Sequence, residues 1–140
     1  MRLLDLSKEQ LVNLIEKLYQ NLIKEPKYNI YSKAFFIEYL KQTLEIYKRY
    51  KNMKITLLLF PFDETKIKEV KSHLRKSDLL AKYDGAFAVL LFETGEIGTL
   101  KVKNKIEKLL NKKGIMVNIT IDRSVEDIIK EIENKVKIFY

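Results

Sequence analysis

Apolar residues in this chain alternate between helical spacing and short continuous runs, and the alternation lays out the elements. Leu11, Leu14, Ile15, Leu18, Tyr19, Leu22 and Ile23 recur every three or four residues behind Ser7 and Gln10, which are spaced as a capping box. A first helix over about residues 8–24 is predicted, ended by Glu25-Pro26, because the residue before proline is pushed out of the α region. Its stripe is narrow and almost heptad-like, suited either to packing on its own domain or to zipping against a second copy. After a short connection, KYNIY, Ser32 is placed to cap a second helix to about residue 50, with Phe36, Ile37, Leu40, Leu44 and Tyr47 inward.

The pattern then changes period. KITLLLF at 54–60 is continuously apolar and reads as a central buried strand stopped by Pro61. A third helix follows over about 64–76, with Ile67, Val70 and Leu74 inward. Next come two strands, 79–83 and 87–92, joined at Asp84-Gly85, where glycine is expected to supply positive φ to a tight turn. Glycines at 95 and 98 punctuate a loop before a fourth helix over about 99–111, with Lys112-Lys113-Gly114 as its C-cap. A β-rich segment at 115–121 precedes a final helix capped by Ser124 and Asp127, carrying Ile128, Ile129, Ile132 and Val136.

From the buried strand onward the order is strand, helix, strand, strand, helix, strand, helix. That is the split β-α-β plan of α+β, ferredoxin-like folds, an antiparallel sheet with helices on one face, here preceded by an N-terminal helix. The nucleotidyl-cyclase palm is one elaboration of it. The predicted division is an amphipathic helix at 1–24 and a domain at 25–140.

Composition narrows the chemistry. The 140 residues contain no cysteine and one histidine, His73, so thiolate and multi-histidine metal sites are excluded and any metal must use carboxylates. No apolar run reaches the length of a membrane span and no signal peptide is evident, so a cytoplasmic protein with no membrane partner is expected. The 27 basic residues exceed the 19 acidic ones, a net +8 that would favour polyanions. The lysines are nevertheless spread along the chain with glutamates between them, and arginine is scarce, so solvated helix faces are the main reading and nucleic-acid binding the minor one. The Lys/Glu/Ile-rich composition also suits a thermophile or an AT-rich genome.

One stretch carries a signature. RKSDLLAKYDGAFAVLLF, Arg75 to Phe92, resembles the central hairpin of the GGDEF (diguanylate cyclase) family, in which R-x-x-D, five residues and Gly-Gly-Asp/Glu-Glu-Phe lead into a strand. Here the signature is shortened to Asp84, Gly85, Ala86 and Phe87. EPKYNIYSKAFF at 25–36 resembles the family's opening motif, LLLFPFD at 57–63 its first strand, and MVNITID at 116–122 its later T-x-S-x-G strand. Order and spacing make the resemblance specific over about residues 25–140.

Its departures redirect the functional expectation. Cyclases of this family join two GTP molecules with two divalent metals on acidic ligands. The resemblance places the metal aspartate of the first strand at Pro61, and the signature glutamate at Ala86 or in a gap. The guanine-reading segment between that strand and R-x-x-D has no counterpart between Lys66 and Arg75, and the guanine-contacting asparagine of the opening motif is Ser32. The resemblance therefore implies a degenerate domain with no catalytic residues and no cofactor, acting as a regulatory or protein-interaction module that self-associates through the first helix. Two other readings remain. Arg75 and Asp78 resemble the family's inhibitory site, where an Arg fork and a carboxylate would read guanine of cyclic di-GMP; their alternative is an i, i+3 ion pair. Asp63 and Asp84 would be the metal ligands of residual cyclase activity; their alternative is a helix cap and a turn residue.

Overall fold

A computed structural model describes residues 7–10, 12–13, 24–25, 28–49, 54–92, 94–120 and 122–139. The capping box is formed: Ser7 N–H donates to Gln10 Oε1 at 3.0 Å and Gln10 N–H to Ser7 Oγ at 3.1 Å, and residues 8–10, 12 and 13 are helical. The stripe from Leu14 to Ile23, together with Leu11, lies outside the described residues. The expected end of that helix is not observed, because Lys24–Glu25 is already a strand, β1.

β1 pairs antiparallel with β2, Ile30–Tyr31, so the segment expected to be a plain connection is a small hairpin. Helix α1, Lys33–Arg49, begins at Ser32, whose Oγ accepts the Phe35 N–H at 3.1 Å. Strand β3, Ile55–Pro61, runs into a 3-10 turn at Glu64–Lys66 and the short helix α2, Ile67–Ser72, which stops sooner than expected. β4, Leu79–Tyr83, and β5, Ala86–Phe92, form the hairpin. Its turn departs from expectation: Asp84 takes the left-handed φ of 52°, and no glycine among the described residues has positive φ. Aspartate tolerates that region because its short side chain can bond locally.

Helix α3, Glu96–Leu110, starts inside the expected loop, with Gly95 as its N-cap. Its C-cap is Asn111 at φ 53°, not the Lys112-Lys113-Gly114 segment. β6, Ile115–Asn118, and α4, Val125–Val136, follow; Ser124 Oγ accepts the Asp127 N–H at 3.1 Å.

The sheet order is β1-β2-β4-β5-β3-β6, with β3 held between β5 and β6, as a continuously apolar strand requires. Among the described residues all pairings are antiparallel but one, the parallel β2–β4 bridge of Tyr31 with Ala81, so the sheet is mixed. Helices cover both faces, not one. Leu57 and Leu59 of β3 point into a core with Phe36, Leu40 and Leu44 of α1 and Ile128, Ile132 and Val136 of α4. Leu58 and Phe60 point the other way, onto Ile67 and Val70 of α2 and Ile106 and Leu110 of α3. Successive strand side chains face opposite sides, so four consecutive apolar residues demand a layer on each.

α4 is tied down by Glu131, which accepts from Lys135 Nζ at 2.5 Å and pairs with Arg123 Nη2 at 2.6 Å. Lys135 chiefly, opposed by burial and helped by Arg123, holds the Glu131 carboxyl below the ordinary 4.5. A carboxyl with a depressed folded pKa contributes stability that is present above its unfolded value and lost as pH falls through the folded one. Glu131→Gln is therefore expected to lower stability at neutral pH while converging with the parent in strong acid. Denaturant melts across that range check this.

Candidate functional site

The end of β3 and the β4–β5 turn meet at one end of the sheet, along the edge that its central strand termini form. Pro61 pairs with Ala86, and the Phe62 N–H donates to Gly85 O at 3.0 Å, so the strand end is latched to the turn by backbone. Neither Pro61 nor Ala86 offers a side-chain oxygen.

Aromatic rings occupy this edge. Tyr28 meets Phe62 edge-on, with centroids 5.0 Å apart, and Phe62 meets Phe87 at 4.9 Å. Lys82 Nζ lies 5.2 Å from the Phe62 ring centroid. Beside them a cleft of about 450 Å³ is bounded by Tyr28, Pro61, Phe62 and Asp63 from one side and by Leu110 and Lys112 of the α3 end from the other.

Asp63 and Asp84 each have their own task. Asp63 Oδ1 accepts from the Thr65 N–H at 3.0 Å and the Thr65 hydroxyl at 2.7 Å, capping the 3-10 turn; those bonds hold its pKa below the ordinary value. Asp84 is bridged by Lys33 Nζ at 3.0 and 3.2 Å. Lys33 also lies over the Tyr83 ring at 4.7 Å and 3.8 Å from Glu133, whose Oε1 accepts the Tyr83 hydroxyl at 2.7 Å. Asp63 and Asp84, the metal ligands that residual cyclase activity would require, are thus a cap of the 3-10 turn and a turn carboxylate paired with an ammonium. Among the described residues no three His, Cys, Asp or Glu side chains converge. Sequence reading missed Lys33, Glu133 and Tyr28, since the Lys33–Asp84 contact spans 51 residues and leaves no local pattern.

Arg75 and Asp78 lie beyond α2 on the segment entering β4. Asp78 Oδ2 accepts the Arg75 N–H at 2.9 Å, and its Oδ1 accepts from Arg75 Nη2 at 3.3 Å. The same Nη2 donates to Phe92 O and Thr94 Oγ1, both at 2.6 Å. The Asp78 side chain is 2% exposed and that of Arg75 55%, so the pair closes the β4–β5 ladder end with the carboxylate inside and part of the guanidinium outside. A shallow cleft of about 310 Å³ adjoins it, with Lys71, Lys76, Asn29 and Tyr31 on its walls.

No protein-family model and no curated protein matches this sequence. Solved structures do match. The coiled coil and GGDEF domain of DgcB from Caulobacter crescentus, in complex with c-di-GMP, superposes with a TM-score of 0.67 at 10% identity over 92% of this chain. The fold is that of a GGDEF domain. Diguanylate cyclase SiaD from Pseudomonas aeruginosa, in complex with its activator SiaC, gives 0.66 at 13% identity over 94% of the chain. The S helix-GGDEF-EAL portion of Vibrio cholerae LapD, bound to c-di-GMP, gives 0.64 at 11% over 94%. The chain spans 38% of that LapD chain, 63% of the SiaD chain and 86% of the DgcB chain. In the GGDEF fold, the edge formed by Pro61, Ala86 and the Asp84 turn is the one the sequence resemblance assigned to catalysis, and R-x-x-D lies at the opposite end of the same hairpin.

Proposed function

We propose that this is a catalytically inactive GGDEF-fold domain acting as a regulatory or protein-interaction module. The observation that carries the reading is the strand end itself. Pro61 faces Ala86, Tyr28, Phe62 and Phe87 line up beside them, and the one turn carboxylate is bound by Lys33. Phosphoryl transfer between nucleotides relies on charge neutralisation by metals and cations at the reacting phosphates. Here the turn carboxylate is paired with Lys33 and Asp63 caps the 3-10 turn, which supports the reading that this edge does not assemble such a ligand set. GTP with Mg²⁺ is accordingly expected to leave the thermal midpoint unchanged, since a ligand stabilises only by binding the native state. A clear rise in midpoint with GTP and Mg²⁺ would overturn the reading.

We propose further that the segment ahead of β1 mediates self-association through the apolar stripe of its sequence. Light scattering on the full chain and on a form lacking residues 1–23 tests that part: a monomer in both cases removes it.

A second reading, a cyclic di-GMP receptor, is favoured by the half-exposed Arg75 beside the cleft with Lys71 and Lys76. Asp78 would have to exchange its bonds to Arg75 for bonds to guanine. Calorimetry with cyclic di-GMP tests this reading, which expects Arg75→Ala to weaken binding by about 1–3 kcal/mol. No heat at high micromolar ligand would exclude it.

A further inference from the structure

The fold sorts the chain's charge between its two helical layers. α2 and α3 pack side by side on one face of the sheet. In residues 96–114, Lys101, Lys103, Lys105, Lys108, Lys112 and Lys113 stand against Glu96 and Glu107, a net +4. In residues 64–78, four lysines and Arg75 stand against Glu64, Glu69 and Asp78, a net +2. On the opposite layer, residues 33–49 hold four basic and two acidic groups, and residues 122–139 four basic and five acidic, which leaves +1. Lysines that looked evenly scattered along the sequence are thus concentrated by the fold on the α2–α3 face.

α3 orders this face further. Ile106 and Leu110 turn into the core, and at helical spacing the outward stripe is Ile97, Leu100, Lys101, Asn104, Lys105 and Lys108, all exposed. Ile97 is 73% exposed, the most exposed large apolar side chain among the described residues, and it shares the stripe with the lysines. Lys103, by contrast, is paired with Glu107 at 2.9 Å and lies outside the stripe.

We infer that the α2–α3 face binds an anionic lipid surface peripherally, with α3 lying flat, its lysines over the headgroups and Ile97 and Leu100 entering the interface. Charge complementarity selects a polyanion, and the exposed apolar pair at one end of a basic helix face selects a bilayer over a nucleic acid. Nucleic-acid surfaces use arginine forks or stacked aromatic side chains, and the α3 stripe carries neither. This inference is independent of whether the strand-end site is inactive.

The test is sedimentation of the full chain with phosphatidylcholine vesicles, with and without phosphatidylglycerol. Binding is expected only with the anionic lipid and is expected to fall with added salt. The triple variant Lys101→Gln, Lys105→Gln, Lys108→Gln should lose about a hundredfold in partitioning, and Ile97→Gln about tenfold. Lys41→Gln with Lys48→Gln, on the opposite layer, should change little. All these positions are exposed, and an unchanged circular dichroism spectrum verifies folding. No sedimentation, equal sedimentation with neutral vesicles, equal loss from the α1 variant, or binding to duplex DNA in place of vesicles would overturn the inference.

Discussion

Phe36→Ala is expected to lower the unfolding free energy by about 3–5 kcal/mol, the usual cost of deleting a fully buried ring. Phe36 is 0% exposed and meets Tyr83 edge-on, with centroids 5.8 Å apart at 88°. Tyr83 in turn carries the Glu133 hydrogen bond and the Lys33 contact. The ring therefore supports both the α1–α4 core layer and the network that neutralises Asp84. Urea melts should show a lower midpoint with an unchanged slope. A loss below about 1 kcal/mol would mean that α1 is not seated on the sheet in this way.

Gly114→Ala is the second large effect, and its cause is overpacking. An added Cβ would lie 2.5 Å from Phe60 Cε1, 2.6 Å from Cδ1 and 3.1 Å from Leu59 O. Phe60 is fully buried, and the β6 ladder begins at the next residue, where Ile115 opposes Leu59. Backbone on one side and a packed ring on the other leave no cheap relaxation, so a loss of about 1–3 kcal/mol is expected in the same melts. Glycine at this position serves a close approach, with its N–H donated to Glu107 at 2.7 Å, whereas the sequence suggested a helix cap. A neutral substitution would contradict the packing of the α3–β6 connection on Phe60.

Local signals explain what was legible beforehand. Ser7, Ser32 and Ser124 announce helix starts because a side-chain cap reaches only three residues along the chain. The apolar run of β3 and the strands around Asp84-Gly85 were equally readable, and together with the R-x-x-D spacing they led to the GGDEF fold that the solved structures show. The β1–β2 hairpin was not legible, since two-residue strands carry no period and Tyr31 is fixed by its bridge to Ala81. The second helical layer could have been read: a strand apolar on both faces already requires cover on both. Lys33 with Asp84, and Arg75 with Phe92 and Thr94, are long-range pairings that only the folded sheet brings together.

The candidate site follows the same division. Pro61 and Ala86 were visible as substitutions in a resembled motif, but the rings beside them were not, because Tyr28, Phe62 and Phe87 come from three separate segments. What the fold adds is the surroundings of these two positions. The turn is latched to Phe62 through Gly85 O, and its aspartate is occupied by Lys33.

The most direct measurement is prolonged incubation of the full chain with GTP and Mg²⁺ or Mn²⁺, with chromatographic separation of the nucleotides. GTP is expected to be recovered intact at the level of the protein-free control. Accumulation of cyclic di-GMP, abolished by unfolding the protein, would contradict that expectation.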